Sequence, residues 1–254
     1  RRLASGKLSE ILGPNTLGID KFIRTLGIRR AAEKQFENYP IESKRMIQAY
    51  SDGVNEAYKR LGWALPAEFM ILGTEPGIWS PADTVAWSLM MALDMGGNWH
   101  KEFLRLELSQ TIDTARIWEV LPPYPGEAPP TSANFAQMYR DLGVFKAPQN
   151  TNKVAAHQEL LKDLPGGFEG VGSNNWVVSG QKSATDKPWL ANDPHLGLTS
   201  PAVWYFAHIE APKLQVIGAT VPGIPGVVLG RNTNVAWGFT NTDPDVQDLY
   251  IEAL

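Results

Sequence analysis

The sequence predicts an α+β fold, with helices in the first part of the chain and an antiparallel sheet in the last. Three observations carry this expectation. Before Gly166-Gly167 apolar residues recur at helical spacing; after it the apolar runs are short and β-branched or aromatic; and Gly, Pro and Asn separate those later runs. Strands segregated from helices in this way argue for α+β rather than alternating α/β.

From Pro40 to Leu61, the residues Ile47, Tyr50, Val54, Ala57, Tyr58 and Leu61 fall on one face of a helix. Ser80-Pro81 offers an N-cap followed by Pro at the first helical position, Asp83 sits in the first turn, and Val85 to Met95 continues that helix. Phe103, Leu104, Leu106, Leu108 and Ile112 suggest a further helix. Leu121 to Pro130 contains five prolines, which remove donors and fix φ, so regular structure is excluded there. Trp176 to Val178, Val203 to Ile209, Leu214 to Ala219, Val227 to Leu229 and Val235 to Phe239 read as strands.

Composition excludes several classes. Of the 254 residues 43% are hydrophobic, with nine Trp, nine Phe and seven Tyr, which is material for a packed core rather than a disordered chain. A net charge of −4 gives no reason to expect a nucleic-acid partner. The absence of cysteine excludes disulfides, thiolate metal sites and a Cys nucleophile in this segment. No apolar run approaches the roughly 20 residues of a membrane span. The opening at Arg1-Arg2-Leu3, and an ending in which Tyr250 to Leu254 still reads as strand, lead to the expectation of a piece of a larger precursor.

Familiar catalytic signatures are missing. There is no G-x-S-x-G elbow, no H-E-x-x-H, no P-loop and no G-x-G-x-x-G after a strand. The four histidines, His100, His157, His195 and His208, lack metal-ligand spacing. What remains is Gly172-Ser173-Asn174-Asn175-Trp176-Val177-Val178, where a Gly-Ser pair stands between a Gly-rich stretch and the first strand. Ala191 to Leu196 and Gly230 to Thr242 read as polar turns, and Asp243 to Asp248 follows with three carboxylates. Taken singly these segments are equally Asx turns, a hairpin loop and a solvated acidic loop.

In order and spacing, the patterns S-N-x-W-V, N-D-P-H, G-x-N-x-x-x-A-W-G and D-V-Q-D-L-Y resemble the penicillin acylase family, whose members include penicillin, cephalosporin and acyl-homoserine-lactone acylases. The resemblance covers residues 173–254 and extends more loosely over Arg1 to Glu10 and Gly97 to Glu102. It implies the αββα sandwich of N-terminal-nucleophile hydrolases. It also implies a precursor cut between Gly172 and Ser173, giving a mostly helical α-chain (1–146), a spacer (147–172) and the start of a β-chain (173–254), with the two chains associating as a heterodimer. A periplasmic or secreted location follows from the family alone.

The chemistry is coherent on its own terms. A serine hydroxyl is a weak nucleophile that needs a nearby base, and cleavage before Ser173 would free an α-amino group of ordinary pKa about 7.7–8.0, near working pH. One residue then supplies nucleophile and base for hydrolysis of a small acyl-amide substrate through an acyl-enzyme. The resemblance places an oxyanion donor at the backbone N–H of Asn241, and His195 at a position that holds the Ser173 amine and orients the site. It places acyl-pocket lining at Leu196, Val228 and Phe239, with Phe239 narrowing the pocket where the family can carry a small residue. It also implies a structural calcium ion held by Glu102, Asp245, Asp248 and the carbonyl of Gln247, and calcium favours about six to eight oxygen ligands. Two alternatives stay open: a non-catalytic calcium-stabilised relative serving as a binding module, and a two-carboxylate glycosidase using Asp245 and Glu102.

Overall fold

The structure, a computed structural model, describes residues 1–123, 132–144, 173–196, 199–242 and 246–252. Helices α1 (Ser9–Leu12), α2 (Leu17–Leu26), α3 (Ile28–Glu37), α4 (Ile41–Leu61), α5 (Ala67–Ile71), α6 (Pro81–Gly96), α7 (Trp99–Leu108), α8 (Thr114–Val120) and α9 (Phe135–Asp141) come first. Strands β1 (Ser173–Val178), β2 (Trp189–Pro194), β3 (Tyr205–Ala211), β4 (Leu214–Thr220), β5 (Leu229–Asn232) and β6 (Ala236–Trp237) follow. β1 and β2 form an antiparallel pair, and β3-β4-β5-β6 form a four-stranded antiparallel meander. The mixture of helices and antiparallel sheets is the α+β class that the sequence predicts.

Particular elements differ from expectation. In α4 the buried side chains are Ile47 and Ser51, whereas Ala57 and Leu61 are exposed. Ser51 can lie in the core because its hydroxyl donates to the Ile47 carbonyl one turn earlier, 2.9 Å away. Helices α2 and α3, ten residues each, are not among the segments read from the sequence; Gly27, at φ 74°, ends one and begins the next. The expected turn at Ala191 to Leu196 is strand as far as Pro194, because its backbone pairs with Ser173 to Trp176. The run Val227 to Leu229 joins the sheet only at Leu229. Tyr250 to Glu252 is not strand, since no ladder partner lies beside it among the described residues. The remaining proline-rich residues 124–130, the predicted spacer 147–172, Gly172 and Asp245 lie outside the described residues.

The chain divides into two compact units: Arg1–Met91 with Gly170–Asn241, and Ala92–Glu169 with Thr242–Leu254. In the first, Ile23, Ala32, Ile47, Val85, Ala86 and Met90 form an apolar core. The start of α6 is closed by Asp83 rather than by the Ser80 side chain: the Ser80 amide and hydroxyl both donate to Asp83 Oδ2 at 2.7 Å, the carboxylate half of a capping box. The Asp83 side chain is 3% exposed, and Arg29 offsets its charge through a 2.6 Å ion pair. The sheet meets the helices of this unit at Ala219 to Gly223, where Ala219, Val221 and Gly223 are buried and the Gly223 amide donates to the Tyr50 hydroxyl at 2.8 Å. Gly223 has φ 106°, and a Cβ there would stand 3.0 Å from the Trp87 ring, so backbone conformation and space both call for glycine. The rest of the sheet surface is open, with Tyr205, Phe206, Trp176, Val177 and Trp189 all more than half exposed.

Asp20 anchors the amino-terminal helices. It is buried and accepts from the Leu8 amide, the Ser9 amide and the Ser9 hydroxyl. Burial works to raise its pKa, but the Ser9 and Leu8 hydrogen bonds and the Arg24 charge outweigh it and hold the carboxyl below its ordinary value. A depressed carboxyl contributes stability above the unfolded pKa of about 3.9 and loses it as pH falls through the folded value. Asp20→Ala is therefore expected to cost about 1–3 kcal/mol at neutral pH. In urea unfolding curves the gap between variant and wild type should narrow below about pH 4, as both carboxyl states protonate.

Candidate active site

The sequence-predicted site residues fall into two groups, one in each unit. In the first unit, Ser173 opens β1 opposite Pro194, Asn174 pairs with Asp193, and Asn175 pairs with Asn192. Opposed residues of an antiparallel pair share a face, and successive residues alternate. Ser173 and Pro194 therefore lie on one face, and Asn174 and Asp193 on the other. His195, two residues beyond Asp193, follows the Asp193 face, and its bonds agree. His195 Nε2 lies 2.8 Å from Asp193 Oδ2 and 3.4 Å from Asn174 Nδ2. Since one ring nitrogen cannot donate and accept at once, the shorter contact is the hydrogen bond when Nε2 carries the proton. The ring is thus bonded to Asp193, the neighbour of Pro194, and lies beside Asn174, the neighbour of Ser173.

Asn241 lies sixty-seven residues beyond Asn174, yet the segment leading to it is fastened to β1. The Thr240 hydroxyl donates to the Ser173 carbonyl at 3.1 Å. One residue earlier, Phe239 exchanges two hydrogen bonds with the Asn192 side chain: its amide donates to Oδ1 at 2.8 Å, and its carbonyl accepts from Nδ2 at 3.0 Å. The same Nδ2 donates to the Asn174 carbonyl at 3.0 Å. Ser173, its strand and the approach to Asn241 are in this way brought to one place. Of the predicted pocket residues, Leu196 and Val228 are half-buried and Phe239 is largely exposed. Val228 is held at the sheet edge by its amide, which donates to the Ala219 carbonyl at 2.9 Å. A cavity of about 370 Å³ elsewhere in this unit is lined by Leu8, Ile11, Tyr58, Phe69 and Trp79 among others, and includes none of these residues.

The second unit gathers part of the predicted metal set. The Asn98 carboxamide donates to the Gln247 carbonyl at 2.8 Å and accepts from the Val246 amide at 3.2 Å. One turn along α7, Glu102 Oε2 stands 3.5 Å from the Leu249 amide, and Oε1 pairs with Arg105 at 3.0 Å. The Tyr250 hydroxyl approaches Asp248 Oδ2 at 3.5 Å. Burial, with the Glu102 charge adding to it, raises the pKa of the nearby Tyr139 phenol, and Arg105 opposes the shift. Gln247 Oε1 is buried and has no hydrogen-bond donor among the described residues. Among the described residues no cluster of three His, Cys, Asp or Glu side chains converges as a metal site. Asp245, the fourth predicted ligand, lies outside them.

Residues 1–254 match the family described as Penicillin amidase. The chain belongs to the penicillin amidase family. Relatives within it include the acyl-homoserine lactone acylase QuiP of Pseudomonas aeruginosa, 35% identical over 256 residues that cover 100% of this chain and 30% of that protein. The penicillin acylase 2 proenzyme of Pseudomonas sp. strain SE83 is 32% identical over 99% of this chain and 32% of its own length. The penicillin G acylase of Escherichia coli is 23% identical over 100% of this chain and 35% of its own length. The chain thus spans about a third of the length of the curated relatives it matches. No helix among the described residues is long and apolar enough to cross a membrane.

Sequence reasoning missed Asn192, Thr240 and Asn98 in this penicillin amidase family member. Each stands in or beside a motif and reads as a turn former or a cap, and only the fold shows that its side chain crosses to distant main chain. Asn98 holds the acidic segment against α7. Asn98→Ala is expected to free the Val246 amide, so that hydrogen–deuterium exchange at Val246 to Leu249 accelerates while α2 to α4 keep their protection. Unchanged exchange at Val246 would remove Asn98 from this role.

Proposed function

We propose that this chain carries the nucleophile of an autoprocessed amide hydrolase, in which Ser173 becomes the first residue of a β-chain. The observation that supports this reading best is the Thr240–Ser173 hydrogen bond, which draws the Asn241 segment against the carbonyl of the nucleophile residue. A cut between Gly172 and Ser173 frees the Ser173 α-amino group, whose ordinary pKa of about 7.7–8.0 suits a general base at neutral pH. The amine takes the hydroxyl proton as Oγ attacks the substrate carbonyl. Collapse of the tetrahedral intermediate delivers that proton to the departing amine and leaves an acyl-enzyme, which water hydrolyses by the same route. The Asn241 N–H is the donor assigned to the oxyanion, a type of contact worth roughly 3–4 kcal/mol of barrier. His195, tied to Asp193, braces the turn that follows Pro194.

The substrate class follows from chemistry and kinship together. Leu196, Val228 and Phe239 offer apolar surface for an acyl group, and the names of the relatives point to an amine partner such as a homoserine lactone or a β-lactam nucleus. In this reading residues 147–172 are the excised spacer, and the mature α- and β-chains stay together as a heterodimer. The αββα sandwich would cover the open sheet faces around Tyr205, Phe206 and Trp176. Ser173→Ala is expected to abolish acyl hydrolysis in the complete protein and leave the precursor uncut. Appreciable turnover of an acyl-amide panel by that variant would end the proposal.

In this reading a structural calcium ion belongs to the second unit, whose described residues offer oxygen ligands without converging on a closed site. Glu102 and Asp248 would supply carboxylates, and Gln247 a carbonyl and a buried side-chain oxygen that has no donor among the described residues; all are hard oxygen ligands of the kind calcium takes. When bound, the ion would neutralise these carboxylates and cross-link α7 to the 246–249 segment; it takes no part in bond cleavage. Asp248→Ala is expected to erase the rise in melting temperature produced by calcium while leaving kcat of the matured enzyme close to wild type. A catalytically dead variant of normal stability would contradict a structural role.

A further inference from the structure

We infer that Asn192 is a positioning residue of the Ser173 site, setting through Phe239 where the Asn241 N–H lies against β1. The inference rests on the reading of Ser173 and Asn241 as nucleophile and oxyanion donor. Asn192 sits on β2, half-buried, and its carboxamide is fully engaged. Oδ1 accepts from the Phe239 amide at 2.8 Å, and the two Nδ2 hydrogens reach the Phe239 and Asn174 carbonyls, both at 3.0 Å. A primary amide offers two N–H donors and a carbonyl, so every donor is matched to a carbonyl and the carbonyl to an N–H.

The pattern is that of a sheet ladder made by a side chain. In an antiparallel pair, a residue exchanges one N–H and one C=O with its opposite. Asn192 does this for Phe239, just beyond the point where β6 ends at Trp237. Its remaining N–H goes to Asn174, the residue after the nucleophile. One planar group therefore fixes the distance between β1, at the neighbour of Ser173, and the main chain two residues before Asn241. Gly238 is shaped around this group. A Cβ on Gly238 would stand 2.6 Å from Asn192 Oδ1 and 2.9 Å from both its Cβ and Cγ, too close for any side chain.

Only donors aimed at the position of the developing oxyanion stabilise it, and misplacing a catalytic group by about 1 Å can cost roughly 100-fold in rate. Asn192 thus governs the chemical step without touching substrate. Asn192→Asp keeps the size and the acceptor for Phe239, but turns an oxygen toward two carbonyls. Gly238→Ala keeps Asn192 and displaces it. Both variants are made in the complete protein, beside Ser173→Ala, and assayed with an N-acyl-homoserine lactone and with an alkylboronic acid that forms a tetrahedral adduct on the serine.

For Asn192→Asp and Gly238→Ala proteins with a wild-type far-ultraviolet spectrum, kcat is expected to fall roughly 10- to 100-fold with KM near wild type. Boronate affinity should fall in step with kcat, and self-cleavage should slow where it draws on the same donor. A merely structural residue would lower the yield of folded enzyme and leave kcat per folded site and boronate affinity unchanged, which overturns the inference. Turnover by Ser173→Ala would instead overturn the reading beneath it. A silent Ser173→Ala beside a fully active Asn192→Asp removes this inference alone.

Discussion

The main chain of this protein is held at three distant points by asparagine carboxamides. A carboxamide carries the same donor and acceptor that a peptide presents to a neighbouring strand, on a tether short enough to fix its direction. Asn55 exchanges both bonds with the backbone of Trp79, at 2.8 Å each, just ahead of the capped start of α6. Asn98 does the same for Val246 and Gln247, and Asn192 for Phe239. A buried peptide group without a partner costs about 1–3 kcal/mol; the Asn55 and Asn98 clamps satisfy part-buried main chain where a ladder or helix bond is absent, and the Asn192 clamp does so at a more exposed place.

The Asn192 clamp carries the greatest consequence because of what lies on either side of it. Sheet pairing alone brings Ser173 to Pro194 and ends, on the other side, at Trp237. The segment that leads to Asn241 comes after that end, where the chain leaves the ladder. Asn192 and the Thr240 hydroxyl together carry the chain across this gap. The strand geometry also separates two jobs by face: Ser173 on one side of the β1–β2 pair, and the Asp193–His195 bond on the other. A histidine placed in this way is suited to stiffening the turn next to Ser173, and in the proposed mechanism the base would be the amine of Ser173 itself.

The legible parts of the sequence were those in which one local rule acts alone. Helix α6 could be read from Ser80-Pro81 and Asp83 because capping is decided within four residues. Helix α4 could be read from its period, but its buried face could not be read in full, since Ser51 hides its hydroxyl in its own helix and passes for a polar surface residue. Family membership was legible because the spacing of several motifs after Ser173 is long and rigid. The clamps were not. An asparagine before Asp-Pro, or beside a Gly, reads as a turn former, and nothing nearby in sequence says that its side chain will meet main chain 47 residues on. Gly238 is the faint sign that could have been found, a glycine between Trp237 and Phe239 where the strand offers no turn.

All of this bears on whether Ser173 ends as a chain terminus. The most direct measurement is intact mass and amino-terminal sequencing of the protein purified from its expressing cells, with Ser173→Ala beside it. The account predicts a wild-type chain beginning Ser-Asn-Asn-Trp-Val and an uncut Ser173→Ala precursor. Fully active wild-type enzyme in which residues 172 and 173 remain joined would contradict it.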